Sequence, residues 1–223
     1  MFKVVSLLKR RPDLSVSEFH AYLRDVHGPI CCDHPEIKRY VQSYTLLQGY
    51  GKGELLFDAL SEIWFDSADG YERYKRHPHT ALIAEDGPNF LDVSRLVIMP
   101  VDVHIMKDGP IPDGVKSIEF VNRRPDMPLD EFRRYWREHH GPLACHIEQF
   151  SRYEQNHLRM EAYNGKREPA FDGIAVTWFA STDEMKRAVD TPAYDATRDD
   201  EPNFLRAGHL PFIITTESVL KSE

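Results

Sequence analysis

The stretch "RRPDMPLDEFRRYWREHHGPL", Arg123 to Leu143, has an ungapped partner in "RRPDLSVSEFHAYLRDVHGPI", Arg10 to Ile30. Arg-Arg-Pro-Asp, Glu-Phe, a tyrosine, an arginine and His-Gly-Pro coincide. Further on, "FDALSEIWF" from Phe57 matches "FDGIAVTWF" from Phe171, and "EDGPNFL" from Glu85 matches "DDEPNFL" from Asp199 after a one-residue insertion. This is the pattern of a tandem duplication with a period of about 113 residues. Its seam falls in "KDGPIPDGV", Lys107 to Val115, where glycine, proline and aspartate cluster between two strand-like runs. The expected repeats are therefore 1–108 and 113–223.

Each copy reads in the same order. A short strand ("KVVSLL" or "KSIEFV") leads through Arg-Arg-Pro-Asp into a helix. In the first copy Ser15 and Glu18 form an S-x-x-E capping box; in the second, Pro128 sits in the first turn with Asp130 and Glu131 complementing the dipole. Phe19, Tyr22, Leu23, Val26 and His27 recur at helical spacing, as do Phe132, Tyr135, Trp136, His139 and His140, so the histidines fall on or beside a buried stripe. Gly28-Pro29 and Gly141-Pro142 are expected to stop the helices, glycine as a left-handed cap and proline as a breaker. A second strand ("RYVQSYTLL" or "RYEQNHLR") puts Tyr40, Gln42 and Tyr44, or Tyr153, Gln155 and His157, on one face. A third strand ("ALSEIWF" or "GIAVTWF"), a helix from Ser67 or Ser181, a short "PNF" turn and a last strand ("RLVIMPVDV" or "PFIITTESV") complete the copy. The order β-α-β-β-α-β predicts an α+β fold of two ferredoxin-like repeats, packed as an intramolecular dimeric α/β barrel with a cavity between the sheets.

Composition narrows the function. The chain has 223 residues, 41 % hydrophobic and 29 % charged, as an ordinary globular protein does. A net charge of −8 speaks against nucleic acid and anionic membranes as partners. Neither a signal-peptide core nor the roughly 20 apolar residues of a membrane span is present, so the expected location is cytoplasmic. Three cysteines, with Cys31 and Cys32 adjacent, suit free thiols. Cys32, Cys145, His34 and His146 lack metal-ligand spacing, and His77-Pro78-His79 reads as a loop ending a helix. Asn89 and Asn203 read as turn residues bonding the backbone. With no phosphate loop, nucleophile elbow or dinucleotide fingerprint, no cofactor is expected.

"EFRRYWREHHGPLA" resembles the signature of EthD-domain proteins, a branch of the dimeric α/β-barrel superfamily in which an aromatic-rich helix ends in His-Gly-Pro. The resemblance spans nearly the whole chain, once per copy. The first copy departs at Leu23, Val26 and Ile30-Cys31. Relatives resembling cofactor-free isomerases and dehydratases imply a helix-end histidine and a tyrosine on the next strand acting in proton transfer: His140 with Tyr153, and His27 with Tyr40.

An imidazole titrating near about pH 6.5 suits general acid–base work, but one in a last helical turn also stabilises the helix by its charge. Both readings stand at this level. The substrate-binding candidates are Trp136, Tyr135, His139, His157, Gln155, Trp178 and Tyr22. The expected function is cofactor-independent proton transfer, isomerase or dehydratase in type, on a small hydrophobic or aromatic metabolite in catabolism or polyketide-like tailoring. The alternatives are a non-catalytic binding protein serving a partner oxidase and a haem- or oxygen-using enzyme of the same superfamily. A homodimer of the fused chain is a further possibility.

Overall fold

The computed structural model describes residues 1–165, 167–208 and 210–222. They form two compact units, residues 1–101 with 215–223, and residues 102–214.

In the first unit, strand β1 (Phe2–Leu8) leads into α1 (Val16–Tyr22), a π-helical turn (Leu23–His27) and α2 (Gly28–Cys32). Strands β2 (Arg39–Thr45) and β3 (Ala59–Phe65) follow, then α3 (Ala68–Arg76), α4 (Pro78–Asp86) and β4 (Val97–Lys107). β3 lies between β1 and β2, with Lys3 opposite Trp64 and Tyr40 opposite Ile63. β1 also pairs with the start of β4, and β2 with the end of β8 (Phe212–Lys221), all antiparallel. The second unit repeats the plan with β5 (Val115–Val121), α5 (Leu129–Tyr135), a π-turn (Trp136–His140), α6 (Gly141–Ala144), β6 (Arg152–Leu158), β7 (Gly173–Phe179), α7 (Thr182–Val189) and α8 (Pro192–Asp200). The hydrogen-bonded strand order is β1-β3-β2-β8-β5-β7-β6-β4, a closed barrel of two ferredoxin-like repeats.

Local chemistry explains the boundaries. Ser15 and Glu18 close the expected capping box on α1. Pro128 stands one step earlier than expected, as the N-cap of α5 with no side-chain bond. Ser67 and Ser181 accept the Gly70 and Glu184 amides at the starts of α3 and α7. His77 ends α3 as its C-cap, as expected, and the same residue opens the next helix: it also caps α4, and Pro78 takes the first position, where a missing N–H costs nothing. Thr191-Pro192 does the same for α8.

The sheet faces divide the core. Phe132, Trp136, Val121, Tyr153, Ala175 and Phe204 form one cluster between sheet and helices in the second unit; Val4, Cys31, Ile37, Tyr40, Ile63 and Phe65 form its counterpart in the first. The Tyr–Gln face of β2 and β6 is thus turned toward its own repeat's helices. The opposite face carries Lys3, whose ammonium lies 2.7 Å from Glu62 with both side chains 2 % exposed, and Lys116, 4.9 Å from the centre of the Trp178 ring. Buried charges are tolerated there because they are paired or lie over an aromatic face. The three cysteines are free thiols.

Candidate active site

The sequence predicts a helix stop at Gly-Pro; instead the helix widens and runs on. Gly28 and Gly141 keep right-handed φ of −54° and −57°, and their N–H groups reach back five residues to the carbonyls of Leu23 and Trp136. Those two carbonyls also accept the side-chain amides of Gln42 (2.9 Å) and Gln155 (2.7 Å) from the strand below. Glycine here serves close approach of side chains rather than a left-handed turn. A Cβ at Gly28 would stand 2.7 Å from Leu220 Cδ1, and one at Gly141 would stand 2.8 Å from Gln155 Nε2 and collide with Met106.

Each π-turn delivers its last histidine inward. His140 Nδ1 is 2.9 Å from Asp200 Oδ2, and His27 Nδ1 is 2.8 Å from Asp86 Oδ2. The other carboxylate oxygen accepts from Tyr135 and Asn203 at 2.7 and 3.0 Å in the second repeat, and from Tyr22 and Asn89 at 2.7 and 3.1 Å in the first. Phe204 and Phe90 lie 4.6 and 4.7 Å from the two imidazole centres. Asn89 and Asn203 therefore bond a side-chain carboxylate, not the backbone groups predicted for them.

Burial opposes ionisation of Asp200, but the bonds from Tyr135, Asn203 and His140 outweigh it and bring the carboxyl below its ordinary range; Asp86 is held down in the same way. An ionised carboxylate only accepts, so Nδ1 carries the imidazole proton and Nε2 the lone pair. Burial also pushes both histidines below the usual imidazole value, against the pull of their aspartates, so the neutral form prevails at neutral pH. The Tyr153 hydroxyl oxygen accepts from Gln155 at 3.1 Å, which leaves its own proton to donate.

From here the repeats diverge. In the first, the Cys31 thiol lies 3.4 Å from His27 Nε2, and Tyr40 meets Gln42 at 2.6 Å and Ser61 at 3.3 Å. Tyr71, Tyr74 and Ile83 pack onto the same cluster. In the second, Ala144 stands at the position of Cys31, and Nε2 of His140 has no hydrogen-bond partner among the described residues. Ala188 and Thr177 replace Tyr74 and Ile63, and space opens between sheet and helices. A cavity of about 30 Å³ is bordered by His140, Tyr153, Glu119, Tyr194, Arg198 and Glu201. A larger one of about 180 Å³ shares Glu119, Phe150, Thr177, Tyr194 and Arg198 and adds the apolar Phe179, Met185, Ala188 and Leu210. An outer cleft of about 730 Å³ shares Arg198, Glu201 and Leu210.

His140 and Tyr153 thus border one cavity, while Tyr135 and Tyr22 bond the aspartates and not the cavity. His139 is exposed, its ring centre 5.0 Å from that of Tyr135. Trp178 lies on the far face of its strand. Trp136 is buried and stacks on His157 at 4.3 Å, and His157 in turn bonds Gln155 at 3.0 Å; these support the site from beneath. Burial and the nearby His104, Arg133 and Arg137 drive the His157 imidazole down to about 2, so it stays neutral. Sequence reasoning missed Asp86 and Asp200, although both stand at matching positions in the paired "EDGPNFL" and "DDEPNFL" segments. It also missed Glu119, Tyr194, Arg198 and Glu201, which have no counterparts of the same type in the first copy. Among the described residues, no cluster of three or more His, Cys, Asp or Glu could hold a metal ion, and no helix is long and apolar enough to cross a membrane.

Residues 11–94 and 124–208 each match the EthD domain family. No curated protein sequence matches. Solved structures with a similar fold include an anthrone oxidase-like protein (15 % identity, TM-score 0.60, covering 98 % of this chain and 93 % of that one). A Fusobacterium nucleatum protein named as a candidate monooxygenase aligns at 12 % identity and TM-score 0.60, covering 99 % of this chain and 92 % of that one. A chlorite dismutase variant from Candidatus Nitrospira defluvii aligns at 12 % identity and TM-score 0.55, covering 98 % and 92 %. At such identities the likeness is one of fold.

Proposed function

The chain belongs to the EthD domain family, and on that premise we propose that it is a cofactor-independent enzyme moving a proton on a small carbonyl compound, with the second repeat as its working site. One observation carries this reading: the lone-pair nitrogen of His140 and the hydroxyl of Tyr153 border one cavity in the second repeat, while their counterparts in the first are taken up by Cys31 and Ser61.

His140, held by Asp200, accepts a proton from carbon as general base. Asp200 fixes the tautomer and balances the imidazolium that forms. Tyr153 donates to the oxygen on which negative charge develops, and its buried setting strengthens that bond. The apolar wall from Phe150 to Leu210 suits a hydrophobic or aromatic body. The test is turnover of a metabolite pulled down by the purified protein. His140→Gln and Tyr153→Phe should each lower kcat by about 10²- to 10⁴-fold while the fold is kept; wild-type rates in both would end the reading.

A second reading, an oxygen-using enzyme, draws on the fold shared with proteins named for oxidase and dismutase activity. A haem does not fit beside His140 as the site is built: the cavity there holds about 30 Å³, and the 730 Å³ cleft that shares Arg198 and Glu201 with it has no histidine among its described lining residues. A porphyrin band in the visible spectrum of the purified protein would favour this second reading.

A further inference from the structure

Glu119 is the unexplained group of the second repeat. It sits on β5, on the face that carries Ser117 and the buried Val121 toward the helices, and it borders both the 30 and the 180 Å³ cavities. No hydrogen bond or ion pair holds its carboxyl among the described residues; Arg198 acts on it only at a distance. The first repeat has Ser6 at this position. Glu119 is half-buried, and an unpaired carboxyl bordering these cavities costs stability unless it is protonated or serves a ligand.

The groups around it come from every packed element. His140 projects from the π-turn, Tyr153 from β6, and Tyr194 and Arg198 from α8, with Glu201 just beyond that helix. Arg198 already pairs with Glu201 at 2.7 Å, which leaves Glu119 without a cation of its own. Burial, opposed only by the distant Arg198 charge, raises the Glu119 carboxyl above its ordinary range, so it carries its proton where a surface glutamate would have lost it.

The cavity therefore holds one base, His140, and two acids, Tyr153 and Glu119. Proton transfer between carbons needs one acid at one oxygen; two acids suit a substrate with two oxygens. We propose that Glu119 is the acid that protonates a departing oxygen, and that the substrates are β-hydroxy carbonyl compounds losing water. The inference rests on the base role of His140 proposed above.

The step balances. His140 Nε2 takes the proton on the carbon between the two oxygenated carbons, and the C–H electron pair becomes the new C=C bond. Tyr153 holds the carbonyl oxygen as charge builds there. The β C–O bond breaks with its pair on oxygen, which takes the Glu119 proton and leaves as water. Imidazolium and carboxylate remain, and solvent restores both.

The test uses the full chain and two probes, 4-hydroxy-4-phenylbutan-2-one and its deoxy analogue 4-phenylbutan-2-one. Elimination from the first gives a conjugated enone, followed by ultraviolet absorbance; calorimetry reads binding of the second. The expected result is acceleration by wild type, a loss of about 10²-fold or more in Glu119→Gln, partial recovery in Glu119→Asp, and equal binding of the deoxy ketone by all three. Infrared difference spectra followed across pH should show a carboxyl that holds its proton to higher pH than a surface glutamate does and that is missing in Glu119→Gln. If His140→Gln is inactive while Glu119→Gln keeps the wild-type rate, the role of Glu119 is overturned and that of His140 stands. If wild type binds the deoxy ketone but does not eliminate water from the hydroxy ketone, β-elimination is overturned. If neither probe binds, the reading of the cavity as an active site falls with it.

Discussion

The two repeats share a histidine, an aspartate, a tyrosine that grips the aspartate and an asparagine that supports it, with distances agreeing to within 0.1 Å. They differ in what stands on the other side of the ring. In the first repeat a thiol, a serine hydroxyl and two tyrosines fill the space, and burial pushes the Cys31 thiol up to about 12, so it remains an inert hydrogen-bonding group. In the second, alanines replace Cys31 and Tyr74, and acids and an arginine border the void. The same scaffold thus gives a satisfied core histidine in one copy and a histidine with a free basic nitrogen in the other. What separates core from site is the size of the neighbours, since a void that no side chain fills gains nothing from packing and is kept only at a cost in stability.

Reactivity should show the largest contrast. Substituting His140 or Tyr153 should cost about 10²- to 10⁴-fold in kcat, whereas His27→Gln and Tyr40→Phe should leave kcat within about threefold and lower the melting temperature instead. Equal losses in both repeats would erase the distinction. Exchanging the filler comes next. Ala188→Tyr should plug the cavity and abolish substrate binding, and Tyr74→Ala should cost about 3 kcal/mol in urea unfolding without creating activity. Gly141→Ala should cost about 1–3 kcal/mol through collision with Met106 and Gln155, and it should slow turnover by moving His140; Gly28→Ala should cost stability alone.

Acid–base linkage sharpens the contrast at smaller scale. His140 is depressed in the fold, so the unfolded chain takes up its proton first as pH falls. Its contribution is full above about pH 6.5 and fades as pH drops toward the folded value. Asp200, also depressed, loses its contribution only below about pH 4. Glu201 runs the other way: burial, opposed by Arg198, raises it to about 7, so its stabilising effect fades as pH rises from the ordinary glutamate range through 7. Glu201→Gln should therefore gain stability relative to wild type as pH rises toward 7, and activity should persist below the pH at which a free imidazole would be protonated. Ser15→Ala, removing a cap that Pro128 cannot match, should cost only about 1 kcal/mol by thermal unfolding.

Much of the fold was legible because it is written twice. Strand alternation, the Ser15 box and the paired Ser67 and Ser181 caps are local signals, and each appears in the structure where the residues put it. Gly-Pro misled because it is a generic stop signal; the π-turn depends on Gln42 and Gln155, which arrive from a strand far along the chain. His77-Pro78 was legible only by half: it ends α3 as read, but proline breaks one helix as readily as it opens the next, and α4 begins there. In the site, His140 stood out against Val26 and His139, but its partner Asp200 was hidden inside a segment that reads as a turn. The cavity was not legible at all. Emptiness has no residue type, and it emerges only when Ala188 and Ala144 are set against the groups facing them.

The most direct measurement is nitrogen NMR of the histidine rings, with and without 4-phenylbutan-2-one. The account predicts a neutral His140 at pH 7 with its proton on Nδ1, and an Nε2 signal that shifts on binding while that of His27 stays in place. A ligand that shifts His27, or shifts neither ring while binding elsewhere, would contradict the claim that the second repeat holds the working site.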